Sequence, residues 1–191
     1  MRFSIVSEPL LTRKRIVAAL QALGDELTKR GVHGQIFIVG GAAMALAYST
    51  RRITRDVDAV FEPKSAIYDA ATIVALQFSL PDDWLNDGVK GFLPGPDSHA
   101  ISHPEIEGLE VTSASPRFLL AMKLLALRIG EDDDDILFLL RLCGITTVEE
   151  ALSVLTDAYP ERPVLPKARF FLEELLGTND SMGEQSESGL E

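Results

Sequence analysis

The 191-residue sequence predicts a mixed α/β (α+β) fold, with a small mixed sheet flanked by helices and then a C-terminal helical region. Three observations predict it. Short apolar, β-rich runs at 35–39, 56–61 and 108–112 alternate with helix-period segments over the first two thirds of the chain. Beyond Ser115 only helical periodicity remains. Hydrophobic residues make up 46% of the chain, enough at this length to bury a core without a disulfide or a structural metal.

Residues 12–30 repeat Ile16, Ala19, Leu20, Leu23 and Leu27 at three- and four-residue steps, the period of an amphipathic helix. Thr12 suits the N-cap, because its hydroxyl can accept from a free first-turn N–H, and Gly31 suits the left-handed residue at the far end. Arg13, Lys14, Arg15, Lys29 and Arg30 read first as its solvated face. Residues 35–39 (QIFIV) read as a strand that ends in Gly40-Gly41 and opens an Ala-rich helix over 42–48. A polar return at 51–55 leads to a second strand at 56–61 (DVDAVF), which Pro63 ends. The next helix, 65–78, turns Ile67, Ala70, Ala71, Val74 and Phe78 inward. Residues 80–95 are rich in breakers and predict a helical turn or two followed by loop.

A further strand is expected at 108–112 (GLEVT). Ser115-Pro116 starts a helix to Arg128, with proline in the first turn, where a missing N–H costs nothing. Gly130 breaks it, and 132–142 form another helix whose acids load its positive N-terminal end. Thr146-Thr147 with Glu149-Glu150 is a capping pattern for a helix ending near Tyr159. Pro160, Pro163 and Pro166 form a stiff connector to a last amphipathic helix at 168–176. Residues 178–191 have four acids and no periodicity, which predicts a disordered tail. The expected organisation is an α/β core at 1–113, a helical region at 114–177 packed on it, and the tail.

Eighteen Lys and Arg against twenty-nine Asp and Glu give a net charge of −11. That balance argues against coating nucleic acid by bulk charge and against docking on anionic lipid, while leaving room for a local basic patch. Cys143 is the only cysteine, so neither a disulfide framework nor a cysteine zinc site is available, and it reads as a buried apolar residue. His33, His99 and His103 lack metal-binding spacing. No run of about eighteen apolar residues suggests a membrane span. Residues 1–14 lack the apolar stretch and cleavage site of a leader, so the expectation is a cytoplasmic protein with no membrane partner.

The chemistry concentrates in residues 36–61, IFIVGGAAMALAYSTRRITRDVDAVF. Gly40-Gly41 closes a strand and opens a helix. Two glycines let a ligand approach the backbone closely, and a helix start offers free N–H groups to phosphate. Asp56-Val57-Asp58 then enters the second strand. Strand residues two apart point to one side, about 7 Å apart along the chain, so the two carboxylates can hold one divalent cation. Oxygen-only ligands suit Mg²⁺, or Mn²⁺ in its place, with a nucleotide's phosphates completing the shell. Phosphoryl or nucleotidyl transfer is the natural chemistry of that combination. A diglycine or a DxD is common alone, as a turn or a solvated strand end; the ordered combination carries the argument.

This segment resembles the nucleotidyltransferase superfamily, whose pattern is hG[GS], a spacer of about a dozen residues, and Dh[DE]h. It looks most like the AbiEii-type toxin branch and a related uncharacterised subgroup, through Gly40-Gly41-Ala42-Ala43, Arg51-Arg52 and Thr54-Arg55-Asp56-Val57-Asp58. Residues 80–94 (LPDDWLNDGVKGFLP) resemble a stretch of that subgroup, and 118–139 resemble the branch's later Lys…Arg…Asp block. The resemblance covers 35–144 and implies a Mg²⁺- or Mn²⁺-dependent nucleotidyltransferase. Asp56 and Asp58 would be the metal-binding and catalytic acids. Gly40 and Gly41 would form the nucleotide turn, with Arg55 beside it. Lys123 would touch the triphosphate, with Arg128 in the same block, and Asp135 would be the later acid, with Asp132 as its partner. Four consecutive acids leave the register open between Asp134 and Asp135. Glu110 is the one candidate for a third metal acid on a later strand.

Read without the resemblance, Lys123 among Leu119, Leu120, Met122, Leu124 and Leu125 is a snorkelling lysine, and Asp132 to Asp135 are helix N-terminal charge. Four acids in a row repel one another, so a nearby cation or basic partner is expected. Trp84 reads as core rather than a base-stacking platform. The resemblance implies NTP as substrate, an RNA 3′ end (often tRNA) as acceptor, and an antitoxin protein as partner. Arg51, Arg52 and Arg55 with Arg13 to Arg15 would supply a local RNA track if folding gathered them. The alternatives are a small-molecule nucleotidyltransferase and a catalytically silent partner subunit of the same fold.

Overall fold

The computed structural model describes residues 10–48 and 52–183. The fold is mixed α/β, with a small mixed sheet flanked by helices. The chain divides into two compact units, Met1–Leu93 with Ser98–Ala114, and Pro94–Asp97 with Ser115–Glu191. No helix among the described residues is long and apolar enough to cross a membrane.

The first unit runs β1 (Leu11–Thr12), α1 (Arg13–Lys29), β2 (Gly34–Ile38), α2 (Gly40–Ala43), β3 (Ile53–Thr54), β4 (Val57–Glu62), α3 (Lys64–Phe78), β5 (Leu85–Asn86), β6 (Ile101–Ser102) and β7 (Leu109–Ser113). α2 continues as a π-helix over Met44–Tyr48. Five strands form one sheet in the order β5-β4-β2-β7-β6, and β1 pairs with β3 apart from it. β2 is antiparallel to β4 and parallel to β7, so the sheet is mixed about its central strand.

Strand alternation sorts the side chains. Ile36 and Ile38 of β2, Val57, Ala59 and Phe61 of β4, and Leu109 and Val111 of β7 are buried. α1 and α3 pack on each other and supply the rest of this core from Ile16, Leu20, Leu23 and Leu27, and from Ile67, Ala70, Ala71 and Val74. The hydroxyl of Thr12 accepts from Arg15 N at 3.4 Å, so the expected cap starts α1. The alternate residues, among them Phe37, Asp58, Val60 and Thr112, are half-buried on the other face.

Three expectations for this unit need correction. Phe78 is only half-buried, because Ala75 takes the inward position on α3. Residues 80–95 hold the expected helical turn and loop, but a strand the sequence did not predict comes first: the peptide at 84–86 joins the sheet, with Val57 N donating to Trp84 O at 2.6 Å and β5 pairing parallel to β4. A 3₁₀ turn, Gly88–Phe92, follows. The polar return contributes the short strand β3, paired with β1, while Arg51 lies outside the described residues.

The second unit is helical: α4 (Pro116–Ala126), α5 (Asp133–Cys143), α6 (Val148–Ala158) and α7 (Pro166–Gly183). Ser115 caps α4, and Asp97 accepts from the Ser115 N–H at 2.7 Å. Thr147 and Glu150 form the reciprocal capping box at the start of α6. α7 extends past 176 to Gly183, so 178–183 are helical rather than part of the expected disordered tail; residues 184–191 lie outside the described residues.

Candidate functional site

The peptide between β2 and α2 turns on Gly40, whose φ of +60° is left-handed and favours glycine. Val39 N donates to Asp58 O at 2.9 Å, which locks the end of β2 to β4 beside this bend. A Cβ on Gly40 would stand 3.3 Å from Asp58 Oδ2, and one on Gly41 would stand 2.9 Å from Thr54 Oγ1. The diglycine is therefore required twice, once for its dihedral angle and once for the close approach of β4 and its lead-in.

Asp56 ends that lead-in. Thr54 Oγ1 donates to Asp56 O at 3.2 Å, and Asn86 Nδ2 donates to Asp56 Oδ2 at 3.4 Å. Burial, then the negative charges of Asp58 and Asp83, push the Asp56 carboxyl above the usual carboxylate range. Asp58 lies on the half-buried face of β4, between the buried Val57 and Ala59. Among the described residues neither carboxylate is in an ion pair. Two neighbouring carboxylates, neither ion-paired among the described residues, with Asp58 close to the Gly40 bend, form a donor set that fits a hard divalent cation. The same face continues into a shallow depression of about 270 Å³ lined by Gln35, Phe37, Val60, Glu62, Glu110 and Thr112.

Strand register removes Glu110 from this constellation. Glu110 sits opposite Gln35, which sits opposite Glu62, four residues along β4 from Asp58. At about 3.3 Å per residue that separation is too long for a shared ion. Its carboxylate instead accepts from Gln35 Nε2 at 2.9 Å. The β7 position level with Val60 on the same face is Thr112, which brings no charge. No group of three His, Cys, Asp or Glu poised for a metal occurs among the described residues.

The later block folds on itself within the second unit. Lys123 Nζ, only 14% exposed, lies 2.7 Å from Asp132 Oδ1 and 2.8 Å from Asp135 Oδ2. Arg128 donates to Asp132 through its backbone N, Nε and Nη2, each at 3.2 Å. Burial pushes the Asp132 carboxyl up, but the hydrogen bonds from Lys123 and Arg128 outweigh it and hold the group below the usual range. Within the acid run, Asp135 faces Lys123, Asp133 Oδ1 accepts from Gly130 N at 2.8 Å, and Asp134 is exposed. The basic partner expected for four consecutive acids is this lysine–arginine pair.

The remaining candidates separate cleanly. Arg55 is exposed. Arg13 Nε donates to Leu46 O, and Arg15 donates to Leu10 O and Phe78 O, so both guanidinium groups engage backbone carbonyls. Trp84 is fully buried and donates from Nε1 to Ala71 O at 3.1 Å, a core residue and not a stacking platform. Burial raises the thiol of half-buried Cys143 against the opposing Arg117 charge, the reverse of an activated nucleophile. His103, to which the sequence assigned nothing, contacts buried Ser113 Oγ through Nε2 at 2.8 Å. Burial, then the Arg13 charge, keep its imidazole below its usual value.

Asn86 was not singled out by residue type. Its only sequence signal is the stretch 80–94 in which it lies, read there as breaker-rich. Compared with models of protein families, with curated proteins and with solved structures, the chain has no match.

Proposed function

We propose that the protein is a divalent-metal-dependent nucleotidyltransferase that moves a nucleotide from an NTP to an acceptor hydroxyl. One juxtaposition supports this reading most: the Asp58 carboxylate lies against left-handed Gly40, with Asp56 beside it and no basic residue paired to either acid among the described residues.

Asp56 and Asp58 would hold Mg²⁺ or Mn²⁺, which when bound neutralises phosphate charge as pyrophosphate leaves. The Gly40-Gly41 backbone, bare of side chains, would let the triphosphate lie close to the bend. In the transfer the acceptor oxygen bonds to the α-phosphorus while the bond to the α,β-bridging oxygen breaks. The acceptor's proton would pass to a carboxylate of the pair. Lys123, Arg128 and Asp135 enter this reading through the family resemblance. The Lys123–Asp135 and Arg128–Asp132 ion pairs join the end of α4 to the start of α5, a structural task within the second unit.

By resemblance the acceptor is an RNA 3′ end such as that of tRNA, and the context is a toxin held by an antitoxin; the compartment proposed with this reading is the cytoplasm. The test is incubation with total RNA and each α-labelled NTP, with and without Mg²⁺. Label moves to RNA with Mg²⁺ and fails to move with Asp56→Asn or Asp58→Asn, both folded. Full transfer by either variant refutes the metal assignment, and label on a small molecule alone refutes the RNA acceptor.

A further inference from the structure

We propose that Asn86 is the positioning residue of this site, holding the Asp56 carboxylate in place through its side-chain amide. The inference rests on the nucleotidyltransferase reading for its consequence, and on geometry for its substance.

The peptide carrying Asn86 is anchored to β4 and to α3. Trp84 is buried and anchored to α3 through Ala71 O, while its own carbonyl accepts from Val57 N. Leu85 is buried and registered with Val57, and Asn86 is registered with Asp58. Paired residues of neighbouring strands point to the same face, so Asn86 and Asp58 share one side of the sheet. One residue on, Asp87 accepts from Tyr68 OH at 2.7 Å and pairs with Lys64, both on α3. The side chain therefore projects from a fixed strand.

Its amide orientation is fixed too. Gly88 N donates to Asn86 Oδ1 at 3.1 Å, which consumes the carbonyl side and turns the NH₂ toward Asp56 Oδ2 at 3.4 Å. An aspartate at this position would keep the acceptor for Gly88 but offer Asp56 a negative charge instead of a donor. A neutral donor restrains a carboxylate without cancelling the charge that draws a cation, which lysine or arginine there would do. Groups that orient metal ligands in this way carry about 10–100-fold in metal affinity or activity.

Two variants separate positioning from turn-capping. Asn86→Asp preserves the acceptor of the 86–88 turn and removes the donor; Asn86→Ala removes both. The readouts are Mn²⁺ affinity by calorimetry, label transfer, and the Asn86 side-chain NH₂ resonances of the metal-free protein. Positioning predicts Mn²⁺ binding about 10-fold weaker or more in Asn86→Ala. It predicts that Asn86→Asp, which keeps the acceptor for Gly88 but loses the donor to Asp56, transfers about 10-fold less or worse. The NH₂ resonances shift on Asp56→Ala. If Asn86→Asp matches wild type in transfer, Asn86 only caps its turn and the proposal falls. If the NH₂ resonances ignore Asp56→Ala, the contact is absent and the proposal falls while the nucleotidyltransferase reading stands. If wild type and Asp58→Asn bind Mn²⁺ identically, the parent reading fails and takes the metal consequence with it.

Discussion

Substituting Gly40 by alanine tests whether the bend and the acid pair form one site. Gly40 and Gly31 have nearly the same left-handed dihedral, φ +60° and +65°. An L-residue there costs about 1–2 kcal/mol, offset by about 0.4–1 kcal/mol of lost freedom in the unfolded chain, for a net loss of about 1 kcal/mol. In a chain of this length that is about 2–4 °C in Tm. A Cβ at Gly31 meets nothing within 4 Å, whereas one at Gly40 meets Asp58 Oδ2 at 3.3 Å, close enough that the carboxylate must retreat by a few tenths of an ångström. Gly31→Ala therefore reports dihedral strain alone, and Gly40→Ala reports strain plus displacement of Asp58. Thermal unfolding with Mn²⁺ titration reads both. Gly31→Ala should lose a few degrees and keep wild-type Mn²⁺ affinity; Gly40→Ala should lose at least as much and bind Mn²⁺ several-fold more weakly. Equal Mn²⁺ affinity in the two variants would refute the reasoning.

Three further outcomes follow from particular contacts. Lys123→Met removes one of the two basic partners of Asp132, 3% exposed, and an ion-pair partner of Asp135, 14% exposed, and should cost about 1.5–3 kcal/mol in urea denaturation; a loss under about 0.5 kcal/mol contradicts a buried cluster. Because Asp132 titrates below its usual range when folded, its contribution is complete above the unfolded value of about 3.9 and fades as pH falls through the lower folded value. Asp132→Asn should flatten that acid limb of the stability–pH curve, and an unchanged limb would contradict the shift. Trp84→Phe loses the bond from Nε1 to Ala71 O and should cost about 1–3 kcal/mol by the same denaturation, whereas a neutral result would remove the anchor of β5.

Elements with enough residues to show a period were legible in the sequence. α1, with its Thr12 cap, and α6, with its Thr147–Glu150 box, each combine apolar spacing with a local stop or start, and both stand where the pattern puts them. β1, β3, β5 and β6 have two residues each, too few for alternation, and exist through pairing with distant partners. The site divides along the same line. Gly40, Asp56 and Asp58 stand out because a turn and a close acid pair are local features, although Asp56 lies in the bend before β4 and not on the strand where the two-residue step put it. Asn86 was not, because its value comes from the β4–β5 register across nearly thirty residues of chain. Glu110 misled for the converse reason: its residue type fits a metal acid, and only register shows it level with Glu62. That Asp135 rather than Asp134 pairs with Lys123 is likewise visible only in the packing of α4 against α5.

The most direct measurement is an anomalous-scattering map from crystals grown with Mn²⁺ and a non-hydrolysable NTP. The account predicts a manganese peak shared by the Asp56 and Asp58 carboxylates, with the triphosphate running past Gly40. A map in which nucleotide is bound elsewhere and these two side chains hold no metal would contradict it.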